Sequence, residues 1–294
     1  RAYKKTTVVW DDELLHAPEP GLVISRFGQH VDVEDSQGQI IRCNMRRTIS
    51  SVVTGDKVSW CRSKQPTGSI DGVIEAVEER SSVLLRPDFY DGLKPVAANI
   101  DLMIIVSAIL PALSLNIIDR YLVAAEMTGI KPLLVINKAD LLEAAAQTEL
   151  EQQLELYRQL DYPCLLVSAR TGQGMAALLH YIHSGTSIFV GQSGVGKSSL
   201  MNNLMPELAA ATQEVSAQSG LGQHTTTVSR LYHLPDGGEE CGHAQKAGQP
   251  DDRGEGHRLC DGLQWRDQKM LPFKHDNPHN IRLLSAGAGK RPHN

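Results

Sequence analysis

The sequence predicts an α/β chain, a doubly wound parallel sheet carrying a phosphate-binding loop, preceded by a small antiparallel β-barrel of OB type. Three observations predict it. Between Gly21 and about Pro87, five short apolar stretches are separated by turns, the pattern of a small barrel. From Ile100 onward, apolar runs alternate with helical periodicity, as a parallel sheet covered by helices requires. Third, Gly191-Gln192-Ser193-Gly194-Val195-Gly196-Lys197-Ser198-Ser199 has the spacing G-x-x-x-x-G-K-[ST] between a short apolar run and a helix.

Residues 1–20 mix charges with two prolines and are expected to form a mobile arm. Barrel strands are expected near residues 23–25, 31–33, 40–43, 52–60 and 72–77, and the barrel is assigned to residues 21–95. Arg42, Arg46, Arg47, Lys57 and Arg62 make it locally basic. Two readings stay open: a solvated barrel face, and a face that contacts RNA. Residues 101–110 form a nearly unbroken apolar run, as in a strand buried on both sides. A helix follows over 116–129, with Ile117, Tyr121, Ala124 and Ala125 on one side. Strands are expected at 132–136, 164–167 and 187–190. Helices are expected at 143–160, with Leu150, Leu154, Tyr157 and Leu160 along one stripe, and at 174–182 and 198–204.

The loop at 191–199 has the residue types that a nucleotide's phosphates require. Its glycines let backbone N–H groups close on a β-phosphate with no Cβ in the way. Lys197 reaches the β/γ oxygens, Ser198 offers a hydroxyl to Mg²⁺, and the helix beginning there turns its positive end toward the anion. A chance glycine turn would not come with the strand, the Lys-Ser pair and the helix in register.

A second motif, Asn137-Lys138-Ala139-Asp140, stands at the end of a predicted strand. The Asp140 carboxylate can accept from guanine N1–H and the 2-amino group, and Asn137 can bond the base edge and brace the loops. Adenine offers neither donor there, and losing a charge-assisted pair is costly enough to separate GTP from ATP. Lys138 would lay its stem over the base, and Ser168-Ala169 suits a backbone contact to guanine O6. Taken alone, the stretch could be a turn with a helix cap at Asp140. Beside the phosphate loop it points to guanine and against an ATPase or kinase, an assignment that competition of GDP against ADP would test.

In ordinary small GTPases the phosphate loop comes first. Here Asn137-Lys138-Ala139-Asp140 precedes it, so the domain, placed at 96–235, reads as circularly permuted. The chain resembles the permuted GTPases of the RsgA (YjeQ) family, bacterial factors in late assembly of the small ribosomal subunit. The resemblance runs from about Gly21 to Pro235. It is carried by the barrel, by Arg86-Pro87-Asp88-Phe89-Tyr90-Asp91-Gly92, by the two nucleotide motifs, and by Gly220-Leu221-Gly222-Gln223-His224-Thr225-Thr226-Thr227. It implies a slow GTP hydrolase with Mg²⁺, stimulated by the small (30S) subunit and contacting its 16S rRNA. It also implies that Thr225 or Thr226 completes the Mg²⁺ shell and that His224 positions the attacking water. On the residues alone, His224 is a surface histidine in a Gly/Thr loop.

The resemblance stops after Pro235. The family pattern next calls for an apolar strand ending in D-x-P-G, whose Asp braces Mg²⁺, and then for a domain with zinc ligands near C-x₄-C-x-H-x₅-C. Cys241-Gly242-His243 supplies only the C-x-H, so no zinc site is assignable. Asp251-Asp252-Arg253-Gly254 formally fits D-x-x-G but has no strand before it. From Asp236 to Asn294 there are seven Leu, Ile or Phe in 59 residues and no Val, a composition expected to be disordered. A shift of reading frame near Gly238 would produce such a tail, and translating the other frames tests it. Loss of the D-x-P-G strand would leave the sheet without a member beside the phosphate loop. It keeps a rival open, a non-hydrolysing RNA-binding module with a structural or defective nucleotide site.

Composition narrows the setting. The chain has 294 residues, 41% of them hydrophobic, with net charge -5, so any nucleic-acid surface must be local. Its five cysteines lack the spacing of a disulfide framework. No apolar run is long enough to cross a bilayer, and the first residues lack a secretory pattern. A cytoplasmic monomer with no membrane partner is expected. The first residue is Arg1 rather than Met, as in a fragment.

Overall fold

The computed structural model describes residues 12–66, 68–88, 92–183, 185–206, 229–234 and 258–263. Five strands make the barrel: β1 (Glu19–Phe27), β2 (His30–Glu34), β3 (Ile40–Met45), β4 (Lys57–Arg62) and β5 (Gly72–Val77). They pair β1–β2–β3–β5–β4, and β4 returns to β1 to close the ring. Period-two alternation turns Val23, Val31, Val33, Cys43, Val58 and Trp60 inward, all fully buried. Trp60 fills the centre, and two glycines make room for it. A Cβ on Gly21 or Gly72 would come within 2.7 or 2.8 Å of the indole.

The end of the expected mobile arm is part of this barrel. Residues Asp12–Leu14 form one 3-10 turn, Leu15 is buried against Cys61 and Val73, and the His16 N–H donates to the Arg62 carbonyl at 2.9 Å. Burying one leucine over the open end of a small barrel is enough to hold the segment.

A hairpin of β6 (Val83–Asp88) and β7 (Gly92–Ala98) leads from the barrel into the α/β sheet. The rest runs β8 (Leu102–Ala108), α1 (Leu115–Thr128), β9 (Lys131–Asn137), α2 (Ala144–Arg158), β10 (Cys164–Leu166), α3 (Met175–Tyr181), β11 (Thr186–Val190), α4 (Lys197–Leu204), β12 (Arg230–His233) and β13 (Arg258–Leu263). The strand order is β10-β9-β8-β11-β13-β12, parallel except for β12. One core lies on each face, around Met103, Ile105, Leu134 and Leu154 on one side and around Ile104, Val106, Leu133 and Phe189 on the other. Successive residues of β8 feed opposite cores, which is why it reads as an unbroken apolar run.

Three details depart from expectation. On α1 the deeply buried residues are Ile118, Tyr121, Leu122 and Ala125, with Ile117 and Ala124 only half-buried. The doubled apolar positions let the stripe rotate by one residue. Leu160 is 66% exposed because α2 ends at Arg158 and the stripe ends with it. The third concerns the tail: the gap expected beside β11 is filled by β13, drawn from residues 258–263. Backbone N–H and C=O groups along an open strand edge accept any extended segment, whatever its side chains. Averaging composition over 59 residues hides a strand of six.

Candidate functional site

Because β8, β9, β10 and β11 run parallel, the loops after β9, β10 and β11 all leave the same edge of the sheet. These are the three loops that carry the candidate nucleotide residues. In open α/β sheets that edge is where ligands lie.

The phosphate loop turns back on itself at Gly191 (φ +140°), Gly194 (φ +81°) and Gly196 (φ +91°). A Cβ on Gly191 would sit 2.2 Å from the Val106 carbonyl oxygen, and one on Gly196 would sit 2.3 Å from Asn137 Nδ2. Both glycines are therefore required by close approach as well as by backbone conformation. Val195 is fully buried and roots the loop in the core below. Gln192 is half-buried and Ser193 exposed. Lys197, at the first position of α4, donates from Nζ to the carbonyls of Gly191 (2.9 Å) and Gln192 (2.7 Å). Its ammonium is thus centred over the loop. Ser198 and Ser199 lie exposed on the first turn of α4.

Asn137 ties the two motifs together. It is 2% exposed. Its Nδ2 donates to the Val195 carbonyl at 2.9 Å, and its Oδ1 accepts from the Ala169 N–H at 3.2 Å. Lys138 adopts a left-handed backbone (φ +62°), and its Nζ donates to the carbonyls of Gly194 (2.7 Å) and Leu110. Ala139 N–H bonds the Val167 carbonyl. Asp140 Oδ1 accepts from the buried Ser168 hydroxyl at 2.5 Å, and its Oδ2 lies 3.0 Å from Arg170 Nε. The Ser168 hydroxyl, opposed by burial and then helped by the Arg170 charge, holds the Asp140 carboxyl below the usual carboxylate range. The carboxylate is therefore ionised, as an acceptor for two guanine donors must be.

Two further donors at this junction have partners within the protein. In the Ser168-Ala169 stretch, the Ala169 N–H donates to Asn137 Oδ1. The Lys138 ammonium is anchored on two carbonyls, which leaves its aliphatic stem as the part available to lie over a base. In both cases a donor at a crowded loop junction takes the nearest acceptor. Neither Arg170 nor the Leu110 carbonyl is signalled by any motif, since their partners become neighbours only in the fold.

The barrel's basic residues are largely neutralised within the barrel. Arg42 pairs with Asp32, Arg46 with Glu75 and Asp12, and Arg62 with Asp35 and Glu19. Of the two readings left open, this favours the solvated face for these three arginines. His224, Thr225 and Thr226 lie outside the described residues, as do Cys241, His243 and Asp251-Asp252-Arg253-Gly254. Among the described residues, no group of three or more His, Cys, Asp or Glu could hold a metal ion. No helix among them is long and apolar enough to cross a membrane.

The sequence pattern of the family described as RsgA GTPase matches residues 77–239. A protein of Haemophilus influenzae (strain PittEE) named small ribosomal subunit biogenesis GTPase RsgA is 55% identical over 236 residues, covering 80% of this chain and 68% of the relative. The chain belongs to the RsgA GTPase family. The RsgA of Actinobacillus succinogenes is 56% identical over 239 residues, covering 81% of this chain and 69% of its own. Among solved structures, YjeQ from Thermotoga maritima is 30% identical with a TM-score of 0.60, over 83% of this chain and 74% of that one. YloQ, titled a circularly permuted GTPase, is 28% identical with a TM-score of 0.52, over 67% and 68%. As an RsgA GTPase the chain is a GTP hydrolase, and its own fold is a circularly permuted α/β domain with an OB-type barrel before it. The non-hydrolysing RNA-binding module is not favoured.

GTP and Mg²⁺ belong to such a family, and the residues here fit them. The glycine cradle has no space for a Cβ at Gly191 or Gly196, Lys197 stands over it, and the exposed Ser198 hydroxyl adjoins it.

Proposed function

We propose that this chain binds GTP at Gly191-Gln192-Ser193-Gly194-Val195-Gly196-Lys197-Ser198-Ser199, Asn137-Lys138-Ala139-Asp140 and Ser168-Ala169, and assists late maturation of the small (30S) ribosomal subunit. The observation that carries the reading is the Asn137 bridge, one amide hydrogen-bonded to the phosphate loop and to the loop after β10. Such a bridge makes base recognition and phosphate binding one event. Lys197 and the loop N–H groups would hold the phosphates, Ser198 would hold Mg²⁺ with Thr225 or Thr226, and Asp140 would select guanine. Mg²⁺ would supply charge neutralisation between the phosphate oxygens.

His224 is proposed to position the attacking water. The partner is proposed to be the small subunit, on the strength of the relatives' name, with contacts to its 16S rRNA, and the chain is proposed to act as a cytoplasmic monomer. The barrel is proposed to span 21–95 and the GTPase domain 96–235. Zinc is left out of the proposal because Cys241-Gly242-His243 supplies only the C-x-H part of the family's ligand spacing.

Single-turnover GTP hydrolysis with and without purified 30S subunits tests the reading. The expected result is slow turnover alone, faster turnover with subunits, and loss of the stimulated part in His224→Ala with GTP affinity retained. GTP kept intact in both conditions would overturn hydrolysis. Unchanged stimulation in the variant would remove His224.

A further inference from the structure

Guanine is a cyclic guanidine. Its N1–H and 2-amino group are two N–H donors on one carbon, in one plane. An arginine side chain presents the same fragment at Nε–H and Nη. In this structure an arginine pairs with the carboxylate assigned to the base: Arg170 Nε lies 3.0 Å from Asp140 Oδ2 in an ion pair, while Ser168 occupies Oδ1 at 2.5 Å. Arg170 is the second residue after Ser168, on the loop that follows β10. Its side chain is 78% exposed, against 11% for Asp140. The carboxylate is fixed and nearly buried, whereas its partner is a long arm free to swing into water.

We propose that Arg170 is an internal stand-in for guanine, which pairs with Asp140 and must leave before the base can dock. This rests on the guanine reading of Asp140 given above and adds a competitor to it. An intramolecular competitor lowers apparent affinity by the fraction of time it holds the site. An exposed ion pair of this kind is weak, so the expected factor is about two- to fivefold. The device loosens binding of GTP and GDP alike, and returns the arginine to Asp140 as soon as the base lifts away.

The sign of the effect separates this idea from simpler ones. Removing a positive charge near a phosphate-bearing ligand ordinarily weakens binding. Removing a competitor tightens it. The test is equilibrium binding of fluorescently labelled GDP to the full chain, to Arg170→Ala, to Asp140→Asn and to the double variant. The expected result is that Arg170→Ala binds GDP about two- to fivefold more tightly at low salt and that the gain shrinks as salt screens the pair. In the Asp140→Asn background, Arg170→Ala should change nothing, because the competition acts only through that carboxylate. Unchanged or weaker binding by Arg170→Ala overturns the proposal, and so does a gain that persists without Asp140. If Asp140→Asn itself leaves GDP affinity intact, the guanine reading fails instead.

Discussion

Asn137 has a side chain that donates to one loop and accepts from another, at a position 2% exposed. Truncation would leave the Val195 carbonyl and the Ala169 N–H without their partner. Each orphaned polar group costs about 1–3 kcal/mol when buried. Water can reach Ala169 more readily than Val195, which is fully buried, so the phosphate-loop side should suffer more. Asn137→Ala is therefore expected to lower the urea midpoint of unfolding by the equivalent of about 1–3 kcal/mol. It should also weaken GTP and GDP together, since the triphosphate and diphosphate share this part of the site. Chemical denaturation and labelled-nucleotide titration would check both. A variant that kept stability but lost only guanine preference would show that Asn137 serves the base and not the loops.

Among the secondary-structure elements, β13 tests how little sequence a strand needs when its neighbours are in place. It lies between β11 and β12, bonded to both, with Cys260 opposite Ile188 on one side and Leu231 on the other. Proline there removes a donor from a central strand and leaves a neighbouring carbonyl without its partner, at a cost of about 1–3 kcal/mol where that group is buried. Cys260→Pro should thus lower thermal stability markedly, and differential scanning calorimetry with and without GDP would measure it. An unchanged melting temperature would mean that β13 contributes nothing to the fold. The contrast with β8, β9 and β11 explains what was legible beforehand. Those strands contact both cores, so their own residues declare them. β13 is specified by the edges it joins, and no window of sequence carries that. The nucleotide loops were legible because glycine, lysine, asparagine and aspartate are each demanded by local chemistry. Arg170 was not, because it acquires a role only when β10 is laid beside β9.

At the scale of the whole molecule, the barrel and the α/β sheet are joined through the turn that enters β4. Thr54 donates to the Ser229 carbonyl at 3.0 Å, and the Ser229 hydroxyl lies 2.9 Å from Thr54 Oγ1 and 3.2 Å from the Val96 carbonyl, either of which can accept its one hydrogen. Gly55 (φ +89°) lies so close to Ala98 that a Cβ would come within 2.2 Å of its carbonyl oxygen. Asn99 donates to the Gly55 carbonyl, and Asp56, fully buried, is held by Arg80 at 2.7 and 2.8 Å and by the Val53 N–H. On the far side, β1 pairs with β12, and His233 meets Glu34 at 2.7 Å. Ile24 of the barrel lies in the same core as Leu84, Ile100 and Leu231. A seam with a shared core, entered by a turn that the largely buried Arg80–Asp56 pair holds in place, should melt with the units it joins. Removing one partner of a buried pair leaves an uncompensated charge, which costs about 3–5 kcal/mol, a large part of a typical domain's stability. Arg80→Ala is expected to shift unfolding of both units together. Trp60, fully buried in the barrel, reports on one unit when Trp10 and Trp265 are replaced by Phe. Bound labelled GDP reports on the other. Coincident transitions at a lower urea midpoint would place the two units in one cooperative fold. If Trp60 became exposed while GDP stayed bound, the barrel would be unfolding alone, and any signal passing from barrel to nucleotide would need a route other than this seam.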